Sequence, residues 1–139
     1  MSIEGVFGIA GSALSAGSVR LNTVASNLAN ADTVSGTPES AYHAREPVFS
    51  SLLQNQLAGA TPESVGVRVA GVVESAASPR KEYQPDNPAA DDKGYVYYSN
   101  VNVMEELSNL ISASRSYQTN VDVMSTTKQL LLKTLELGA

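Results

Sequence analysis

Residues 3–31 read IEGVFGIAGSALSAGSVRLNTVASNLANA and carry an apolar or small residue at regular seven-residue intervals. One series consists of Phe7, Leu14, Leu21 and Leu28. A second series, three places later each time, consists of Ala10, Gly17, Val24 and Ala31. An average spacing of 3.5 residues is typical of a helix that packs along another helix through a narrow seam. We therefore predict a helix over residues 3–31 that requires a helical neighbour.

The C-terminal part of the chain has the same period. Its main series is Leu110, Tyr117, Met124 and Leu131, with Leu107, Val121 and Leu135 on the alternate positions. We predict a helix over residues 103–136, with Asn102 as its N-cap, Glu105 completing a capping box, and Gly138 ending it. The two ends can pair with each other or with other molecules, which favours a subunit built for assembly over a catalyst.

The predicted N-terminal helix has an unusual composition. Gly5, Gly8, Gly11 and Gly17 interrupt it, and by ordinary helix propensities they cost about 4 kcal/mol together relative to alanine. Isolated, such a helix should be marginal. Its small side chains predict packing on more than one side, which a small monomer could hardly provide. The alternative is a Ser/Ala-rich surface helix on an ordinary bundle.

The middle of the chain has strand and turn signals. Asn30 to Pro38 opens a linker, residues 42–49 can be extended with Pro47 confining any strand to an edge, and residues 50–58 are ambiguous between helix and strand. Alternating valines from Val65 to Val69, continuing past a bend at Gly71, and residues 94–98 favour strands.

These signals define the predicted architecture. The fold class is mainly α with a small β module, in which the N- and C-terminal helices pair as an antiparallel coiled coil around a β-rich insert. We predict a terminal helical domain of residues 1–34 plus 100–139, the inner assembly core, and a small outer β-containing module of residues 35–99.

Composition and motifs argue against several classes of function. The 139 residues carry a net charge of −5 and no cysteine, so neither nucleic-acid binding nor disulfides are indicated. His43 is the only histidine, and its neighbours lack ligand or triad spacing. The Asp86, Asp91 and Asp92 cluster does not fit an EF-hand, which favours a polar turn. We predict no enzyme, catalytic residue, metal site, cofactor or small-molecule substrate.

Membrane and targeting signals are also absent from the sequence. No stretch reaches the roughly 18 apolar residues of a membrane span. The N-terminus lacks a basic region before its apolar residues, so we expect no cleaved signal peptide. Arg20 is the only basic residue of the N-terminal helix, which disfavours a helix lying on a membrane surface.

Two terminal motifs carry a resemblance to a known family. Residues 20–33, RLNTVASNLANADT, resemble the N-terminal signature of flagellar axial proteins (rod, hook and related subunits), and residues 114–121, SRSYQTNV, resemble the signature at their other end. The segments YQPDNPAADDKGYV (83–96) and NVNV (100–103) are similar to those of a proximal-rod subunit. Asn87 and Ser99 depart from that pattern, where His and Pro often stand. The signature residues are Asn27, Leu28, Ala29, Asn30, Asn120 and Val121.

This resemblance to the bacterial flagellar basal-body rod family implies a function. The chain would be a structural subunit of the proximal rod, exported unprocessed by the flagellar type III apparatus and polymerised helically in the periplasm around the export channel to transmit torque. Its partners would be copies of itself, other rod subunits, the MS-ring protein and the ring–rod adaptor. We expect an assembly seam of Phe7, Leu14, Leu21, Val24, Leu28, Leu107, Leu110, Tyr117, Val121, Met124, Leu131 and Leu135. The alternative is a soluble two-helix adaptor that forms no polymer.

Overall fold

The computed structural model describes residues 3–54 and 63–138, and within them lie two long helices and five strands. In chain order these are α1 (Ile3–Ala29), β1 (Val34–Ser35), β2 (Arg45–Gln54), β3 (Glu63–Glu74), β4 (Arg80–Tyr83), β5 (Tyr95–Tyr98) and α2 (Val103–Leu137). The predicted pair of terminal helices around a small β-containing middle is confirmed. Of the ambiguous segment 50–58, residues 50–54 belong to β2, and 55–58 lie outside the described residues.

The two helices pack antiparallel. A Cβ atom at Gly11 would lie 3.7 Å from Cε of Met124, and one at Gly17 would lie 3.3 Å from Cδ2 of Tyr117. Moving forward along α1 therefore means moving backward along α2. The missing side chains at these two positions let α2 approach the backbone of α1, because larger residues would hold the helices apart.

A long hairpin of β2 and β3 packs on another side of α1. The hydroxyl of Ser12 accepts a hydrogen bond from the Val67 backbone N–H at 3.1 Å and donates to the Ile9 carbonyl at 2.8 Å. Gly66, at φ +151°, has no side chain to obstruct that contact. The multi-sided packing predicted for α1 is thus present, but the expectation that one chain could hardly supply it is wrong, because α2 and the hairpin together do so.

The hairpin strands pair only with each other, so both are edge strands, as Pro47 required for β2. Val48 pairs with Gly71 and Phe49 with Val69, which leaves Ala70 as the extra residue of a β-bulge. The predicted bend therefore lies at Ala70, next to Gly71.

A second sheet has the strand order β1-β5-β4, all antiparallel. Its central strand supplies Val96, which is fully buried. The Ser99 hydroxyl ties the sheet to the turn after α1 by donating to the Ala31 carbonyl at 2.6 Å. Lys81 of β4 places its Nζ atom 3.9 Å from the ring centroid of Tyr95, a cation–π contact that joins the two strands.

The N-cap of α2 is the predicted residue, but the described residues show no return hydrogen bond from the Asn102 N–H to the Glu105 side chain, so the predicted capping box is only half formed. Asn102 is the N-cap, and its side-chain oxygen accepts hydrogen bonds from the backbone N–H groups of Met104 and Glu105. At the other end, the Gly138 N–H donates to the Thr134 carbonyl at 3.2 Å. The Asn102 cap therefore fixes the residue at which the loop after β5 ends and α2 begins.

Candidate assembly surface

Asn27 joins three parts of the fold. It is 1 % exposed. Its amide nitrogen donates to the Arg45 carbonyl at 2.8 Å, and its oxygen accepts from the Arg45 N–H at 2.9 Å and from the Tyr42 hydroxyl at 3.0 Å. These hydrogen bonds satisfy the buried Asn27 amide, and they hold the start of β2 against the last turns of α1. This gives one signature residue a definite structural role.

The carboxyl group of Glu106 on α2 faces the same junction. Glu106 is 8 % exposed, and its Oε2 atom is buried with no hydrogen-bond partner within the described part of the chain. Burial raises the pKa of this carboxyl above its ordinary value, the Asn27 side chain opposes the shift, and the negative charges of Glu105 and Glu46 add to it. Keeping the Glu106 carboxyl ionised in the folded chain therefore lowers the free energy of unfolding.

The inward face of α2 combines large and small residues. Leu110, Tyr117 and Met124 of the predicted seam are partly buried. A second series with the same seven-residue spacing alternates with them along the helix. Its members are buried or partly buried: Glu106, Ala113, Asn120 and Thr127. The hydrophobic pattern missed this second series because its members are small or polar; their spacing from Leu110 and Tyr117 was the only signal that could have found them.

The remaining seam residues divide between buried or partly buried positions on α1 and exposed positions on α2. Val24 is buried, and Phe7, Leu14, Leu21 and Leu28 are partly buried on α1. On α2, Leu107, Val121, Leu131 and Leu135 are exposed. A large part of each of these four side chains is therefore available to another molecule.

Many apolar side chains of α2 are exposed. Together with the four just named, the exposed apolar residues of α2 are Val103, Met104, Ile111, Val123, Leu130, Leu132 and Leu137. Leu137 is 89 % exposed and Met104 is 73 % exposed. So many exposed apolar side chains on one long helix indicate a surface that is covered in the working state of a protein.

The other signature residues serve the end of α1 and the middle of α2. The Asn30 amide donates to the Ser26 carbonyl at 2.8 Å, closing the last turn of α1. Leu28 and Asn120 are partly buried, whereas Ala29 and Val121 are exposed. The signature residues therefore lie both at the contact between α1 and β2 and on the exposed surface.

The acidic loop before β5 forms a turn organised by Asp91. One of its carboxylate oxygens accepts from the backbone N–H groups of Lys93 at 2.9 Å and Tyr95 at 2.8 Å. The Tyr95 hydrogen bond is the main cause that lowers the pKa of Asp91. Within residues 3–54 and 63–138 no three acidic, His or Cys side chains cluster as metal ligands would, and neither helix has an apolar run long enough to cross a membrane.

Comparison with known proteins identifies the family of the chain. Residues 7–36 match the family model described as flagella basal body rod protein, and residues 92–137 match the one described as flagellar basal body rod FlgEFG protein C-terminal. The chain belongs to the flagellar basal-body rod protein family. The first match covers most of α1 together with β1, and the second covers β5 and α2.

Full-length relatives place the chain more closely within this family. It is 53 % identical over 138 residues to the flagellar basal-body rod protein FlgC of Yersinia enterocolitica, with 99 % of each chain covered. It is 51 % identical to FlgC of Escherichia coli O6:H1 and 49 % identical to FlgC of Salmonella typhimurium, each with 99 % of both chains covered. The predicted resemblance to a proximal-rod subunit is confirmed.

Proposed function

We propose that this rod-family chain is a structural subunit that polymerises helically around the flagellar export channel and carries torque from motor to hook. The observation that carries the proposal is the set of exposed apolar residues of α2. In a single chain these side chains lie in water, whereas packing of neighbouring subunits removes them from it, at about 25 cal/mol per Å² of apolar area.

The paired helices would form the inner wall of that polymer. The inward residues of α2, from Glu106 through Leu110, Ala113, Tyr117, Asn120 and Met124 to Thr127, alternate in steps of four and three. This spacing supports an antiparallel coiled coil of residues 1–34 and 100–139, because a 3.5-residue repeat keeps one seam facing a partner. Residues 35–99 would form the outer module.

We infer the partners from this position in the rod. They are copies of the chain, other rod subunits, the MS-ring protein and the ring–rod adaptor. Its location would be the periplasmic part of the basal body, reached through the type III export apparatus without cleavage. The low helix propensity of α1 supports export of the chain in unfolded form. Gly8, Gly11 and Gly17 destabilise the helix relative to alanine and so lower the free energy needed to unfold it.

The alternative two-helix adaptor gains no support. An adaptor whose helices served only each other would gain nothing from apolar side chains left in water on α2. Leu137, Met104 and Leu135 of that helix are 89 %, 73 % and 62 % exposed in the single chain.

The experiment compares Ile111→Asp with Ile111→Val in cells that lack the chromosomal copy. Ile111 is 55 % exposed, so neither change should lower the melting temperature of the isolated chain. We expect the aspartate variant to abolish swimming and rod formation, as seen by electron microscopy of basal bodies, and the valine variant to retain both. Normal rods with aspartate, or swimming by cells without the protein, would contradict the proposal.

A further inference from the structure

The buried carboxyl of Glu106 opens onto a pocket of about 320 Å³ between α1, the start of β2 and the first turns of α2. Three carboxylates line this pocket, those of Glu46, Glu105 and Glu106. Two arginines, Arg20 and Arg45, lie at its walls. The charged groups facing Glu106 therefore come from all three elements packed around it.

Neither arginine neutralises Glu106. Arg45 pairs with Glu74 on the opposite strand, at 3.2 Å between its Nη2 and Oε1, and lies over the ring of Tyr42. Arg20 makes no ion pair within the described residues. The charges that act on Glu106 are those of Glu105 and Glu46, and both are repulsive.

The Glu106 carboxylate lacks the positively charged partner that stabilises a buried negative charge. A buried charge is stable only when it is paired and its lone pairs are satisfied. Oε2 of Glu106 has neither kind of partner. A metal ion does not fit, since no described group of three acidic, His or Cys side chains is arranged to hold one. A guanidinium or ammonium group on a flexible side chain can enter such an opening and pair with the Glu106 carboxylate that lines it.

Resting on the function proposed above, we propose that this pocket receives an arginine or lysine side chain from an adjoining rod subunit and that Glu106 is the buried anion that binds it. The pair forms only when the subunits meet, so it favours the assembled state over the free chain. Its geometry would also set the lateral position of one subunit on the next, because a buried ion pair tolerates little displacement.

The test uses cells that lack the chromosomal copy and carry the wild-type chain, Glu106→Gln or Glu136→Gln. Glutamine keeps the shape of Glu106 without its charge, and Glu136 is an exposed carboxylate on the same helix. We expect Glu106→Gln to keep or raise the melting temperature of the isolated chain. In cells it should give on the order of tenfold fewer completed rods, whereas Glu136→Gln should match the wild type.

Three results would overturn the inference. Normal rod numbers with a folded Glu106→Gln chain would show that the charge is not needed for assembly. A lower melting temperature for Glu106→Gln would assign the carboxyl a role inside the chain. If Arg20→Gln reproduced the loss of rods and lowered the melting temperature, Arg20 would be the internal partner.

A suppressor selection provides the second measurement. Cells carrying Glu106→Lys should regain swimming through changes of a lysine or arginine to an acidic residue in a rod protein, which would identify the partner. Suppressors confined to Arg20 and Arg45 of the same chain would overturn the inference. If wild-type complementation made no difference because cells without the chain already swim, the proposed function itself would fail, independently of position 106.

Discussion

Gly17 of α1 lies against the ring of Tyr117 of α2, so that a Cβ atom at position 17 would stand 3.3 Å from Cδ2 of the ring. This distance is tighter than an ordinary carbon–carbon contact. The lack of a side chain on Gly17 therefore sets the distance between the two helices at this contact. Gly8, in the same helix, has nothing within 4 Å of its hypothetical Cβ, which makes it a matched reference.

Replacing these two glycines by alanine should have unequal effects. Gly8→Ala should stabilise the isolated chain by about 1 kcal/mol through helix propensity. Gly17→Ala should gain less, because the new methyl group crowds Tyr117, and Gly17→Leu should lose about 1–3 kcal/mol by overpacking. Urea unfolding followed by circular dichroism measures all three, and equal gains for both alanine variants would show that the Gly17 contact is unimportant.

The contact between the hairpin and α1 depends on Gly66. A Cβ there would collide with Oγ of Ser12, and the φ of +151° is unfavourable for residues with a side chain. We expect Gly66→Ala to cost about 1–3 kcal/mol and to expose the β3 amides near Val67 to hydrogen exchange.

Gly71→Ala is the control for that change, since Gly71 lies in the same strand with nothing within 4 Å of its hypothetical Cβ. It should leave both the stability and the exchange pattern unchanged. The same loss of protection in both variants would mean that strand propensity, and not the Ser12 contact, is responsible.

Removing the side chain of Asn27 should loosen the junction between α1 and β2. Asn27→Ala deprives the Arg45 N–H and carbonyl of their partners, which we expect to cost about 2–3 kcal/mol. Asn22→Ala, at an exposed position of the same helix, should be neutral or slightly stabilising. Thermal unfolding of the two variants checks the prediction, and comparable midpoints would contradict it.

Glu106 should make the stability of the isolated chain depend on pH. Burial raises its pKa above the ordinary 4.5 in the folded state, so the folded chain binds this proton more tightly than the unfolded chain. This contribution to stability is fully present below the unfolded value and is lost as pH rises through the folded value. Considering the contribution of Glu106 alone, the urea concentration at the unfolding midpoint should therefore be higher at pH 4.5 than at pH 7.

The Glu106→Gln variant isolates that contribution. It cannot titrate, so the difference in unfolding free energy between wild type and variant should shrink as the pH falls from 7 toward 4.5. Arg20, Arg45, Glu46 and Glu105 face the same pocket, and their contributions remain in both proteins and cancel. A difference that is constant over this range would rule out titration of Glu106.

Short elements were the least predictable part of the fold. β1 consists of two residues and β4 of four, and both form by pairing with β5. Their sequences, Val-Ser and Arg-Lys-Glu-Tyr, carry no alternating pattern long enough to indicate a strand. Only the neighbouring strand, together with the contact of Lys81 on Tyr95, makes the extended conformation favourable.

The sequence by itself determined the two long helices, the cap at Asn102, the main strand segments and membership of the rod family, because repeat spacing, capping residues and local motifs are properties of neighbouring positions. Only the tertiary structure decided which face of α2 meets α1, that the β2–β3 hairpin covers a second side of α1, and that Glu106 is buried without a counter-ion. Those features depend on side chains separated by tens of residues, and a small or polar residue at a seven-residue interval has no hydrophobic signature until the partner helix is in place.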